Sequence, residues 1–332
     1  MESQETILQV NDLCMYFPVR QNLIEILTRK EAKFIKAVDH VSFFVNRGES
    51  VGLVGESGCG KSTLSKTLIR LYKPTGGSVN FMDVGDISKQ SSKQMKQLRF
   101  QMQMVFQDPY SSLNPKMTVR QVFYEVLSVH KICSKNKLEE KTVDLLNMVG
   151  MPEYALDRYP DEFSGGQRQR IGIARALAMS PGFLIADEPV SALDMSIQAQ
   201  VINLLQELRE KLNLTMLFIS HDLRVVEYIS DRVIVMYLGK IVEEGPTAPL
   251  FESPMHPYTE ILIKAAPVMN PDDTSREYVI EGETPSPIEI PKGCRFHPRC
   301  PYATDLCREK EPQIEEIEKG RKVACHYPLS GQ

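Results

Sequence analysis

Residues 7–45 alternate apolar and polar positions and are rich in Val, Phe and Tyr (ILQVNDLCMYF, then AVDHVSFFV), which predicts strands of a half-exposed antiparallel sheet. A polar stretch over about 21–36, carrying Arg29, Lys30, Glu31 and Lys33, interrupts them and reads as a long hairpin loop or short helix. The run SVGLV (50–54) enters a glycine-rich loop, and residues 62–71 follow with Leu64, Leu68 and Leu71 at helical spacing, so strand, loop and helix succeed one another. From about 91 to 179 Met and Leu recur at three and four, which predicts an inserted helical block. GFLIA (182–186) and LTMLFIS (214–220) predict short buried strands, separated by a helix with Ile197, Val201, Leu204, Leu208 and Leu212 inward. Strands alternating with helices imply a parallel sheet. Beyond Gly239 the chain becomes proline-rich, and a second unit with little regular structure is expected from near residue 250.

Composition narrows the class. With 332 residues, 42% apolar and 25% charged, the chain is neither collagen-like, disordered nor a simple coiled coil. Its 39 Lys and Arg against 43 Asp and Glu give a net charge of −4, so nothing global points to nucleic acid or an anionic membrane, and binding must be local. Glu2 and Glu5 stand where a signal peptide would be basic, and apolar runs such as VIVMYL (233–238) are too short to span a bilayer. Of seven cysteines, Cys14, Cys59 and Cys133 are scattered, as in a reduced cytosolic protein, and four crowd the tail.

The loop Gly55, Glu56, Ser57, Gly58, Cys59, Gly60, Lys61, Ser62, Thr63 fits the pattern G-x-x-x-x-G-K-[ST], whose backbone N–H groups wrap phosphate oxygens. Lys61 is expected against the β- and γ-phosphates and Ser62 on Mg²⁺, with the helix dipole aimed at the charge. Asp187 and Glu188 follow an apolar run, at the carboxyl edge of a buried strand where doubly wound sheets bind ligands. Asp187 is expected to hold Mg²⁺ and Glu188 to polarise the attacking water as general base. His221, ending the next strand, can reach the γ-phosphate, and Gln107 can offer an amide oxygen to Mg²⁺ or water. Ser164 precedes a helical stretch as an N-cap, with Gly165, Gly166 and Gln167 behind it. This second anion site suggests a nucleotide held by another chain, in a head-to-tail dimer.

In order and spacing, GESGCGKST, Gln107, FSGGQRQR, LIADEP, SALD and His221 resemble the nucleotide-binding subunit of ABC transporters over about 7–245. The resemblance implies an α/β fold: a P-loop NTPase cassette with a RecA-like parallel sheet, an N-terminal antiparallel β subdomain and an inserted α-helical subdomain. It implies two cassettes face to face, with ATP between one chain's phosphate loop and the other's SGGQ. Ser191, Ala192, Leu193 and Asp194 would then cross the dimer seam, and Tyr16 would stack on adenine, with Phe17 the competing choice. QDPYSSLNP, HPYTEILIKAAP, GETPSP and GCRFHPRCP further resemble the ATPase subunits of oligopeptide and dipeptide importers, and SGGQRQR with EPVSALD the F-type subunit. That implies a D-type ATPase partner, two transmembrane permeases, an extracytoplasmic peptide-binding protein and a peripheral place on the cytoplasmic membrane face. A groove at Tyr110, Leu113 and Pro115 would receive a permease helix. Relatives also serve nickel, glutathione or antimicrobial peptides, and a soluble ABC ATPase acting on ribosomes or nucleic acid is the rival reading.

On this reading a nucleotide-binding domain covers 5–250, with its helical subdomain at 91–179, and an extension covers 251–332. Cys294, Cys300, Cys307 and Cys325 lie in a segment with few apolar anchors, where a staple is expected. Four thiolates select zinc or an iron–sulfur cluster, and Arg295, Arg299 and Arg308 could offset a cluster's negative charge. Some members of the resembled family carry a 4Fe–4S cluster here. Cluster, zinc and free thiols all stay open, as does a redox sensor gating the ATPase. His297 and His326 are alternative ligands or bystanders.

Overall fold

The computed structural model describes residues 5–21, 32–108, 113–265 and 284–329. Most of the polar 21–36 stretch and Tyr110 of the expected groove lie outside them. The strands, in chain order, are β1 (Thr6–Pro18), β2 (Phe34–Asn46), β3 (Ser50–Val54), β4 (Gly76–Phe81), β5 (Met102–Val105), β6 (Phe183–Asp187), β7 (Thr215–Ile219), β8 (Arg232–Tyr237), β9 (Lys240–Pro246), β10 (Glu315–Glu318) and β11 (Arg321–Val323). The chain divides into two compact units, one of 1–46, 51–89 and 221–332, the other of 47–50 and 90–220.

In the first unit β1 pairs antiparallel with β2 on one side and β4 on the other, as the alternation predicts. β3 pairs in parallel with β8. Both are buried along their whole length, which accounts for their unbroken apolar runs. β8 continues antiparallel to β9, β9 to β11, and β11 to β10. Helix Lys61–Leu68 buries Leu64 and Leu68, but Leu71 is 49% exposed. The helix stops at Leu68, and Arg70 turns the chain through φ 54°, so Leu71 never joins the apolar face.

Downstream of 250 there is more regular structure than the prolines suggest, with helices at Thr247–Glu252, Pro257–Ala265 and Asp305–Glu309 besides the β10–β11 hairpin. The expected lack of apolar anchors is also corrected. Tyr258 and Phe296 are fully buried against Tyr237 of β8, with ring centroids 4.6 Å (Tyr237–Tyr258) and 5.3 Å (each with Phe296) apart. Three rings in mutual contact, Tyr237 and Phe296 edge to face and the other two pairs tilted, supply a core of their own.

In the second unit β5, β6 and β7 run in parallel. Around them lie helices Ser92–Gln101, Val119–Val129, Leu138–Met148, Gly165–Leu177 and Met195–Leu212. β5 falls inside the block read as helical: four residues are too few for a period to register, and pairing with β6 decides their state. Helix Met195–Leu212 buries Val201, Leu204 and Leu208, whereas Leu212 at its end is 42% exposed. Among the described residues no helix is long and apolar enough to cross a membrane.

Candidate nucleotide site

The phosphate loop leaves β3 and closes at Gly60, whose φ of 111° and lack of a side chain are both required, since a Cβ there would stand 2.0 Å from the Ala37 carbonyl oxygen. Helix Lys61–Leu68 then begins with no side-chain cap and no acid in its first turn, which leaves its N–H groups and positive dipole end to an anion. The buried Lys61 donates from Nζ to the carbonyls of Gly55 at 2.6 Å and Glu56 at 2.9 Å. Ser62 and Thr63 are half-buried and Ser57 and Gly58 exposed, while burial pushes the Cys59 thiol above its ordinary pKa.

Glu56 is held from outside the loop. Its carboxylate accepts from both terminal nitrogens of Arg299, at 2.8 and 2.9 Å, and from Thr284 Oγ1 at 2.8 Å. Its backbone N–H donates to the Tyr258 hydroxyl at 2.8 Å. Sequence reasoning missed these three partners.

Tyr16 donates its hydroxyl to the buried Asp39, which also receives the Arg295 guanidinium. Burial, then the Asp39 hydrogen bond and charge, raises the phenol pKa; burial pushes Asp39 up, but the bonds from Tyr16 and Arg295 outweigh it and hold the carboxyl below its usual range. The Lys36 ammonium lies 5.6 Å from the Tyr16 ring centroid. Phe17, the competing aromatic, packs edge-on against Tyr72 at 5.4 Å. His221 is exposed, directly before the Asp222 cap of helix Leu223–Ile229.

Within the second unit, Asp187 ends β6 buried, and Glu188 follows at φ 47°, a left-handed backbone unusual for a residue with a side chain. Glu188 N–H donates to the Ile219 carbonyl at 2.9 Å, and the Glu188 carbonyl accepts from Ser191 Oγ at 3.1 Å. Gln107 Nε2 donates to Glu188 Oε2 at 2.8 Å, bringing together two residues 81 positions apart. Because a carboxylate only accepts, the Gln107 amide must present its nitrogen here and keep its oxygen as an acceptor elsewhere.

Ser164 is an N-cap, in a capping box: its hydroxyl accepts from Gln167 N–H, and the Gln167 side chain accepts from Ser164 N–H at 3.0 Å. Gly166 is needed for packing, because a Cβ would lie 2.3 Å from Ile197 Cγ2. This gives one of the two bare glycines a reason besides an open anion site. Ala192 and Asp194 are exposed, Ser191 and Leu193 half-buried.

Cys294, Cys300, Cys307 and Cys325 line one cavity of about 20 Å³, with His256, Phe296 and His326 among its other walls. Burial pushes the Cys294 and Cys325 thiols up to about 11 and raises Cys300 as well. Among the described residues, the group of three or more ligand-type atoms within 4.8 Å of one another is Cys14, Asp39 and His40. The expectation that Arg295 and Arg299 serve to offset a cluster's charge is corrected, since Asp39 and Glu56 already pair with them. Arg308 is largely exposed, beside Asp305. His297 Nδ1 and His326 Nε2 lie 2.8 Å from the carbonyl oxygens of Cys294 and Lys310, and both residues line the cavity.

A family model described as ABC transporter matches residues 38–191, and one described as oligopeptide/dipeptide transporter, C-terminal region, matches 242–307. The chain is 51% identical to the oligopeptide transport ATP-binding protein AppF of Bacillus subtilis over 98% of both chains. The chain belongs to the ABC transporter family. It is also 48% identical to the putative oligopeptide transport ATP-binding protein YkfD of the same organism, over 96% of this chain and 95% of the relative. Among solved structures, cbiO1 from Clostridium perfringens, part of the ABC transporter complex cbiONQ, aligns with a TM-score of 0.62 and 28% identity over 75% of this chain and 91% of its own. The ATP-binding cassette MJ0796, in a dimeric post-hydrolysis state bound to ADP and Pi, aligns with a TM-score of 0.62 and 26% identity over 73% of this chain and 99% of its own. The phosphate loop, Gln107, the SGGQ helix start, the paired acids and His221 follow one another in that order along the chain.

Proposed function

We propose that the protein is the ATP-hydrolysing subunit of an importer for oligopeptides or dipeptides. The observation that carries the ATP part is the uncapped helix start after Gly60 with Lys61 buried in the loop, a cradle built for phosphate, and the importer part rests on the likeness to oligopeptide transport ATP-binding proteins. Glu188 acts as the general base, held by Gln107, and His221 contacts the γ-phosphate. Ser62, the Gln107 oxygen and Asp187 are the residues that hold Mg²⁺; the ion, when bound, neutralises β- and γ-phosphate charge. The adenine stacks at Tyr16. The SGGQ start (164–167) and the 191–194 segment face the ATP of a partner cassette. That partner is a homologous D-type ATPase, and the pair works beneath two permeases fed by an extracytoplasmic peptide-binding protein, peripherally on the cytoplasmic face. The functional division is a cassette over 5–250, with a helical subdomain at 91–179, and an extension over 251–332.

The four-cysteine cavity fits a soft metal centre, with four thiol donors and no carboxylate lining it. Zinc bound tetrahedrally at ~2.3 Å would hold its sulfurs under 4 Å apart. The sequence spacing of the four cysteines lacks the paired C-x-x-C knuckles common in zinc sites, and on that ground a 4Fe–4S cluster is preferred over zinc. Such a centre, when bound, supplies cross-links between Cys294–Cys307 and the chain's last segment.

The test is co-purification. Two permease chains and a second ATPase should accompany the tagged protein from membranes, and the complex should hydrolyse ATP in response to peptide-loaded binding protein. Recovery with ribosomes or nucleic acid instead would reject the importer reading.

A further inference from the structure

The geometry points to Arg299 as a positioning residue for ATP binding, acting through Glu56 of the phosphate loop. The inference rests on reading that loop as the ATP site and adds what holds it. Glu56 is fixed at three points: its N–H by Tyr258, its carbonyl by Lys61 Nζ, and its carboxylate by the two-pronged Arg299 contact and Thr284. A peptide anchored at both ends and through its side chain cannot rotate freely, so the N–H groups that follow it keep one orientation.

The pair also has an electrostatic consequence. An unpaired Glu56 would set a carboxylate in a loop meant for the tri- or tetra-anionic phosphate tail of a nucleotide, and like charges there weaken binding. Arg299 neutralises it while itself only 5% exposed, against 18% for Glu56, so solvent does little to screen the pair. The planar fork matches the carboxylate at both oxygens, which an ammonium could not do. Arg299 ends the short turn His297–Arg299 and directly precedes Cys300. The brace therefore grows out of the cysteine cavity's own wall, and the order of that segment is passed to the phosphate loop.

The experiment is a cycle of variants in the assembled transporter, read as KM for ATP against kcat, together with binding of a fluorescent ATP analogue. Arg299→Gln should raise the ATP KM about tenfold and leave kcat within about threefold. Adding Glu56→Gln to it should bring KM part of the way back, because the uncompensated charge is gone while the side-chain anchor stays lost. Arg299→Lys, which keeps the charge and gives up the fork, should fall between and serves as the readout if Arg299→Gln lowers the yield of folded protein. An unchanged KM in the arginine variants overturns the proposal, and so does a double variant no better than the single one, which a purely structural arginine would produce. Failure of the ATP-site reading itself is distinguishable, since the unmodified protein would then bind no analogue.

Discussion

Gln107 grips the carboxylate of Glu188 by a 2.8 Å hydrogen bond, and the Glu188 backbone sits at φ 47° to present it. In its proposed role as base, Glu188 is pre-organised by that hydrogen bond to its carboxylate and by a backbone held at Ile219 and Ser191. Glu188→Gln should cut ATP turnover of the assembled transporter by roughly 10²–10⁴ while ATP still binds. Steady-state phosphate release alongside analogue binding checks it, and undiminished turnover removes Glu188 from the base role.

Lys61 is both a candidate phosphate ligand and a donor to two carbonyls of its own loop. Lys61→Ala should weaken ATP binding by about 1.5–3 kcal/mol, the worth of a charge-assisted hydrogen bond, or more. Titration calorimetry with ATP measures it, and an unchanged dissociation constant would show that the side chain serves the loop alone.

The SGGQ start tests packing against chemistry. Gly166→Ala drives a methyl group to within 2.3 Å of Ile197 Cγ2, which should destabilise the protein by about 1–3 kcal/mol. Shortening the obstacle with Ile197→Ala should recover much of that in urea unfolding. If it does not, Gly166 answers to something other than Ile197.

For the cysteine cavity, anaerobically purified protein should contain iron and sulfide, and Cys300→Ser should lose both and lower the thermal midpoint. Stoichiometric zinc without iron would assign the other metal, and metal-free protein of undiminished stability would leave four free thiols.

Asp39 titrates below its ordinary value of 3.8 because Tyr16 and Arg295 outweigh the cost of burial. A depressed carboxyl contributes stability above its unfolded pKa and loses it as pH falls through the lower folded value. Arg295→Met leaves a buried carboxylate without its cation and should cost about 3 kcal/mol at pH 7. That gap should narrow as pH falls toward 4, where Asp39 of the variant protonates first. A gap that widens on acidification would place the effect elsewhere.

Local chemistry was legible in the sequence and distant pairing was not. SVGLV, GFLIA and LTMLFIS each became strands within a residue or so, because short apolar runs between turn signals leave few options. Ser164 announced its cap because a capping box is complete within four residues. Leu71 and Leu212 kept helical spacing but lost their burial, since periodicity does not say where a helix ends. Arg299 could be found beside Cys300, yet nothing in the spacing pointed to Glu56, 243 positions earlier. The flanking arginines suggested cluster charge, and only the folded chain reveals the carboxylates they meet.

The β9–β11 ladder has a consequence for synthesis. β9 finds the partner for its outer edge only at Lys322 and Val323, and Glu56 waits for Thr284 and Arg299, 228 and 243 residues behind it. While the ribosome still holds the C-terminal segment, the nascent chain carries an open strand edge and an unbraced loop, the state in which edges stick to one another. A premature stop between residues 250 and 284 would thus leave the catalytic motifs intact on paper and yield a protein prone to aggregate before it meets its first nucleotide.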